Sequence, residues 1–193
     1  RSANTHDVDG WNQGVTGGPA DKLSLDGERL IQTNFGFGHP EYLAAGVTYK
    51  CRLDQFKKIE SWGDTLYGPK GFIVRSKTGL VMEYGGTANA RVGISSATYF
   101  WLLNKVSDTQ GNYYTIEYFN NGAEFYPLRI LYTGNTAAQM TPAYQVDFSY
   151  VSKPDTAVTW QGMLLQRNTK LLNNIRITTK GSTVRRYLMT YGT

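Results

Sequence analysis

Turns punctuate this chain at short intervals, and the stretches between them alternate apolar and polar residues. That pairing constrains the fold more than any other feature. Alternation at period two sends successive side chains to opposite faces of a strand, and a tight turn returns the next strand beside it. The run "WLLNKVSDTQGNYYTIEY", Trp101 to Tyr118, shows the pattern plainly. Asp108-Thr109-Gln110-Gly111-Asn112 is its turn: Asp bonds its own backbone two residues on, and Gly or Asn accepts the left-handed conformation. "ATYFWLLNKV" is the first arm and "YYTIEYF" the second. On the second arm Tyr114, Ile116 and Tyr118 share one face, and Thr115 and Glu117 the other.

The same grammar recurs along the chain. In "LSLDGERLI" the pair Asp26-Gly27 is a tight hairpin turn between two short arms. "VTYKCRL" alternates as a strand. "GFIVRS" and "GLVMEYG" flank Lys77-Thr78-Gly79, so Phe72–Arg75 should pair with Leu80–Tyr84. "YPLRILYTG" is a strand opened by Pro127, a residue kept to strand starts and edges. "YQVDFSYV" alternates, "SKPDTA" reads as a turn, and "QGMLLQRNTKLL" reads as a bent strand rather than a helix. "LLNNIRITT" and "TVRRYLMTY" flank Lys180-Gly181-Ser182 in a last hairpin. Residues 1–22 form a loop-rich lead-in and 23–193 one β-sheet segment. The fold class expected is all-β: a meander of consecutive antiparallel hairpins forming a large curved sheet or partly closed barrel, with little helix. Tyr187, Met189 and Tyr191 still alternate at the end of the chain, which leads us to expect a further strand beyond it.

Composition narrows the function. The 193 residues carry 40% hydrophobic and 18% charged side chains, so the chain is neither disordered nor a bundle of membrane helices. No apolar run approaches the roughly 20 residues that span a bilayer as helix. The net charge of +5 is scattered, with no run of five basic residues, and reads as a solvated surface rather than a nucleic-acid site. The single cysteine, Cys51, excludes an intrachain disulfide framework and a cysteine-rich metal site, and reads as a packed strand thiol.

Candidate chemistry is sparse. His6 and His39 lie far apart, without the local spacing of a zinc site. Asp54, Glu60, Asp64, Glu83, Glu117, Glu124 and Asp147 are numerous enough for an acid–base pair, but strand carboxylates are mostly solvated. "HDVDG" has the opening of a calcium loop without its later ligands. "GVTGGP" and "YGPKGF", with Lys70, lead into loop or strand rather than into the helix a phosphate cradle needs. No cofactor or metal is expected, and no catalysis. Of Trp11, Trp62, Trp101 and Trp160, Trp101 reads as core, and Trp62 is the ring expected to be exposed. Trp62, Tyr67, Tyr114 and Tyr118 are the candidate binding residues; Asp26, Gly27, Asp108, Gly111 and Asn112 are the structural turn residues.

Six blocks, in order, give a resemblance. "DKLSLDGERLI" resembles the Asp-x-(aromatic or Leu)-x-Leu-Asp-Gly-x-Arg-Leu block of the Rhs/YD-repeat superfamily, which includes SpvB-like and insecticidal toxin complex B-like proteins. "GPKGFIVRSKTGLVMEYG" is similar to its paired strands ending in Tyr-Gly. Trp101, Leu103, Val106, Asp108, Gly111, Asn112 and Tyr118 match its Trp-to-Tyr hairpin block. "PLRILYTGN", "VDFSYVSKPDT" with "KLLNNIRI", and "VRRYLMTY" follow in the superfamily's order. Leu23 stands where an aromatic is frequent, and the first 20 residues match poorly. The tandem Gly-x-x-x-Arg-Tyr-x-Tyr-Asp repeats and the self-cleaving aspartyl site are absent, so the resemblance is to the region before the repeats.

The resemblance implies a role. In that superfamily, hairpin sheets spiral into a hollow shell around a toxic or effector polypeptide. It implies a non-catalytic shell segment of a large bacterial protein, secreted or at the cell surface. Its partners would be the remainder of the parent chain and an enclosed effector, with self-association through exposed strand edges. The alternative is a β module that binds glycan or a surface protein through aromatic side chains.

Overall fold

The computed structural model describes residues 1–34, 36–53, 55–94 and 97–192. Asp54, one of the candidate carboxylates, lies outside them.

Among the described residues fourteen strands follow one another. The first six are β1 (Ser24–Leu25), β2 (Glu28–Gln32), β3 (Thr48–Cys51), β4 (Lys57–Thr65), β5 (Gly68–Ser76) and β6 (Val81–Tyr84). Then come β7 (Arg91–Ile94), β8 (Ala97–Trp101), β9 (Leu103–Ser107) and β10 (Asn112–Asn120). The last four are β11 (Phe125–Asn135), β12 (Tyr144–Gln161), β13 (Leu164–Thr179) and β14 (Ser182–Leu188). Twelve of them form one antiparallel meander with β1 and β14 at its edges; it does not close into a barrel. The exceptions are β7 and β8, which form a separate two-stranded sheet. Among the described residues, helix is confined to one turn, α1 (His6–Asp9), and a 3-10 turn at Ala88–Ala90.

The turn chemistry accounts for the register. Asp26 and Gly27 take φ of 53° and 83°, the double left-handed turn that matches the twist of paired strands. Lys180 and Gly181, at 47° and 81°, repeat it between β13 and β14. At the third turn, Asp108 Oδ1 accepts the N–H groups of Gln110 and Asn112, and Gly111 takes φ of 82°.

Three segments differ from the expectation. "ATYFWLLNKV" is not one arm. It divides at Leu102, whose N–H bonds Ala90 and whose carbonyl accepts from Gly85, leaving β8 to pair with β7 and β9 with β10. "SKPDTA" is not a turn but part of β12. Residues 153–156 face the single residue Thr169 of β13, three more than the ladder needs, because Ser152 pairs with Lys170 and Ala157 already pairs with Asn168. Such a bulge bends a strand without ending it, and it leaves Pro154 outside the ladder. The bend expected within "QGMLLQRNTKLL" is a complete reversal at Gly162, from β12 into β13.

Two cores result. The larger joins Leu23, Leu30, Val47, Tyr49, Ile59, Phe72 and Val74 on one face of the early strands, with Trp101 packed against it. Trp101 stands edge-on to Phe72 at 5.1 Å and donates its indole N–H to the Pro69 carbonyl. Cys51 is buried in this core. The smaller core gathers Val92, Tyr99 and Leu164. It forms because the far end of the β12–β13 hairpin folds back beyond the bulge, where Gln161 reaches the Arg1 carbonyl at 3.1 Å. The Arg1 guanidinium is buried and bonds Thr98 O, Gly18 O, Tyr67 O and Asp21, which ties the lead-in to β8 and the β4–β5 turn. No helix among the described residues is long and apolar enough to cross a membrane.

Candidate functional site

The two faces of the sheet differ in chemistry. Register places Val74, Met82, Val106 and Tyr114 in one row and Ile130, Val146 and Ile177 in another, all on the same face. That face is apolar and aromatic. Over the early strands β8 packs across β5 and closes it. Away from the β12–β13 tip and Phe125, where β7 and β8 pack, nothing comparable lies over β11–β14 among the described residues. Burial shows the consequence. Beyond Val106, Leu164 is the one apolar side chain among the described residues that is fully buried, and it sits at the folded-back hairpin tip. Ile116, Ile130, Val146, Phe148, Ile175 and Ile177 are half-buried, and Tyr187 is exposed.

The opposite face carries a charge ladder. Glu117 stands opposite Arg129, Arg129 opposite Asp147, Asp147 opposite Arg176, and Arg176 opposite Arg186. The row therefore crosses β10 to β14 at one level. Arg129 Nε lies 2.9 Å from Asp147 Oδ1, and Arg176 lies 3.4 Å from Asp147 Oδ2. Burial works to raise the Asp147 pKa, but the Gln145 amide and the two guanidiniums outweigh it and hold the carboxyl below its ordinary range.

The four predicted binding residues do not form one site. Trp62 lies opposite Gly71 on the charged face, its ring over the space a side chain there would take. It is half-buried rather than exposed, because Gly71 lets the ring settle onto the sheet; its indole N–H is buried without a hydrogen-bond partner. Tyr67 is 41% exposed in the β4–β5 turn, and its carbonyl takes the Arg1 guanidinium. Tyr114 and Tyr118 do share the apolar face. Tyr118 donates its hydroxyl to Leu103 O at 2.7 Å, and burial, with Tyr84 and Tyr114 nearby, pushes its pKa up to about 12.

The carboxylates are bound individually rather than paired in a cleft. Glu60 meets Lys58 and Arg75, Asp64 accepts the Ala45 N–H, Glu83 accepts from Asn104, and Glu124 accepts from Thr169. Among the described residues no three His, Cys, Asp or Glu side chains gather as metal ligands. In "HDVDG", Asp9 and Asp7 pair instead with Arg29 and Arg52. A cavity of about 320 Å³ lies between the early strands and β8, walled by Leu23, Ile59, Phe72, Tyr99 and Trp101.

Sequence reasoning missed two features. One is the ladder: its members sit at matching parity in each arm, but only register aligns them. The other is an aromatic stack in which Phe119 lies on Tyr126 at 4.9 Å and Tyr126 against Tyr150 at 4.3 Å. Glu124 and Lys170 line the recess beside it.

No protein-family model and no curated protein matches the chain. Solved structures do. The N-terminal domain of effector protein SpvB from Salmonella typhimurium strain LT2 is similar over 99% of this chain and 81% of its own, with a TM-score of 0.77 at 17% identity. The TcdB2–TccC3–Cdc42 crystal structure is similar over 92% of this chain, with a TM-score of 0.70 at 16% identity. The Photorhabdus luminescens Tc holotoxin pore is similar over 86%, with a TM-score of 0.67 at 16% identity. The chain spans only 12% and 11% of those two toxin-complex chains. The meander of hairpins is thus a fold that this chain shares with the SpvB N-terminal domain and with one part of the toxin-complex chains.

Proposed function

We propose that this chain is a non-catalytic wall segment of a large Rhs-like toxin protein, secreted or at the cell surface, whose sheet helps enclose or scaffold an effector polypeptide. The segment corresponds to the region before the tandem repeats. The observation that carries this reading is the apolar face of β11–β14 away from the β12–β13 tip, which has strand order, register and side chains but, among the described residues, no layer over it comparable to β8 over β5. A self-sufficient domain covers such a face; a piece of wall meets its neighbour or its contents there. The likeness to the N-terminal domain of an effector protein and to one part of toxin-complex chains supports it.

The test is solution mass by light scattering across a concentration range. A wall segment should self-associate through the bare face as concentration rises. Ile130→Lys combined with Val146→Lys should return it to a monomer. A monomer at every concentration would sink this reading. It would favour a second one, a glycan- or protein-binding module, which draws on the Tyr126–Tyr150 stack and the recess beside it. A glycan screen with Tyr150→Ala and Trp62→Ala would then follow.

A further inference from the structure

Strand β14 is an edge of the twelve-stranded sheet, and its backbone and side chains both specify what pairs with it. The Met189 N–H bonds Asn173 O at 2.9 Å, toward β13. Register is unbroken from Asn174↔Leu188 to Ile177↔Arg185. Alternation along an antiparallel strand then directs the N–H and C=O groups of Leu188 and Arg186 to the open side. Those groups form a ready template for another strand.

The side chains select that strand. Along the ladder the signs run negative at Glu117, positive at Arg129, negative at Asp147 and positive at Arg176. The alternation fails at the last step, where Arg186 stands opposite Arg176. Asp147 already holds Arg176, and Arg186 directs its Nε to the neutral Asn174 Oδ1 at 2.9 Å. Like charges directly across a sheet repel, and opposite charges attract. A second copy of this edge does not relieve the repulsion: residues 180–192 contain Lys180, Arg185 and Arg186 and neither Asp nor Glu. Two such edges paired would add basic charge to basic charge.

We infer that β14 is a docking edge for the neighbouring antiparallel strand of the wall, and that this strand places Asp or Glu opposite Arg186. Of the two residues flanking that acid, the one opposite Tyr187 is apolar, because it continues the face of Tyr187 and Ile175. This deepens the wall reading by naming the chemistry of the next strand, and it stands on the edge alone rather than on the bare face.

The probe is a nine-residue peptide alternating threonine and valine, with glutamate at its centre and alternate amides N-methylated so that only one side can pair. A second peptide carries lysine at the centre. Fluorescence anisotropy gives the affinities, and amide hydrogen exchange gives the site. The glutamate peptide should bind about three-fold or more tighter than the lysine peptide and slow exchange at Arg186 and Leu188. Arg186→Glu should invert the preference. Arg185→Glu, whose side chain is on the other face, should leave the preference unchanged. No protection on β14, or a preference that Arg186→Glu does not invert, would overturn the inference. Either failure would leave the concentration-dependent mass unaffected, so the edge and the wall reading fail separately.

Discussion

Arg129 Nε meets Asp147 Oδ1 at 2.9 Å across two neighbouring strands, and Arg176 meets the other oxygen of the same carboxylate from the far side. One largely buried acid therefore holds three strands in register. Its pKa is lowered in the fold: burial opposes ionisation, but Gln145, Arg129 and Arg176 together outweigh burial. A lowered carboxyl pKa gives stability that is present above the unfolded value, near 3.9, and is lost as pH falls through the folded value. Asp147→Asn should cost about 1–2 kcal/mol at pH 7, the range for a charge-assisted hydrogen bond after solvent screening. It should also flatten the acid limb of the stability curve below about pH 4. Urea denaturation at pH 7 and pH 3 checks both; an equal loss at the two pH values would contradict the linkage.

The phenols give the opposite sign. Burial raises the pKa values of Tyr42, Tyr118 and Tyr150 to about 12. A raised phenol pKa gives stability that is whole below the unfolded value, about 10, and is lost as pH rises toward about 12. Ultraviolet titration should show a group of tyrosines ionising only with unfolding. Tyr118→Phe removes one of them along with its bond to Leu103 O, and should cost about 1 kcal/mol.

Burial separates the two halves of the molecule quantitatively. Leu164 is fully enclosed by Val92 and Tyr99 and fixes the returning hairpin tip. Leu164→Ala should cost about 2–5 kcal/mol and loosen the contact between Arg167 N–H and the Ala123 carbonyl. Ile130, half-buried on the bare face, should lose less than about 1.5 kcal/mol on the same truncation. Thermal denaturation of the two variants side by side tests the contrast; equal losses would mean the late face is covered.

Turns and faces were legible in the sequence because their causes are local. Asp26-Gly27, Asp108 to Asn112 and Lys180-Gly181 each carry the side chain or the left-handed angle that their turn requires. Parity along each arm likewise separated Tyr114, Ile116 and Tyr118 from Thr115 and Glu117. What failed was long-range. Nothing near Leu102 in the chain says that its N–H is taken by Ala90, twelve residues earlier, and that one bond splits an apparent arm between two sheets. Pro154 suggests a turn, yet three extra residues can leave a ladder and rejoin it when the partner strand continues. Trp62 was expected to be exposed because its neighbours are Ser61 and Gly63, while the residue that seats its ring is Gly71 on the next strand.

That seat yields the last prediction. Gly71 and Gly27 need glycine for different reasons. Gly27 has open space around it and a φ of 83°, so Gly27→Ala meets only the cost of the left-handed backbone, about 1–2 kcal/mol. The φ of Gly71 is not among the positive ones, but a Cβ there would lie 2.4 Å from the Tyr84 carbonyl oxygen and 2.7 Å from the Trp62 ring. No Cβ fits at that distance from a backbone oxygen, so β5 must shift away from β6 at a cost, and Trp62 must lift off the sheet. Gly71→Ala should therefore destabilise more than Gly27→Ala and should also shift Trp62 emission to the red as its indole meets water. Trp62→Phe in the same background should abolish the shift while leaving the destabilisation. A red shift that survives Trp62→Phe would place the disturbance at Trp101 instead, across the sheet on the core face.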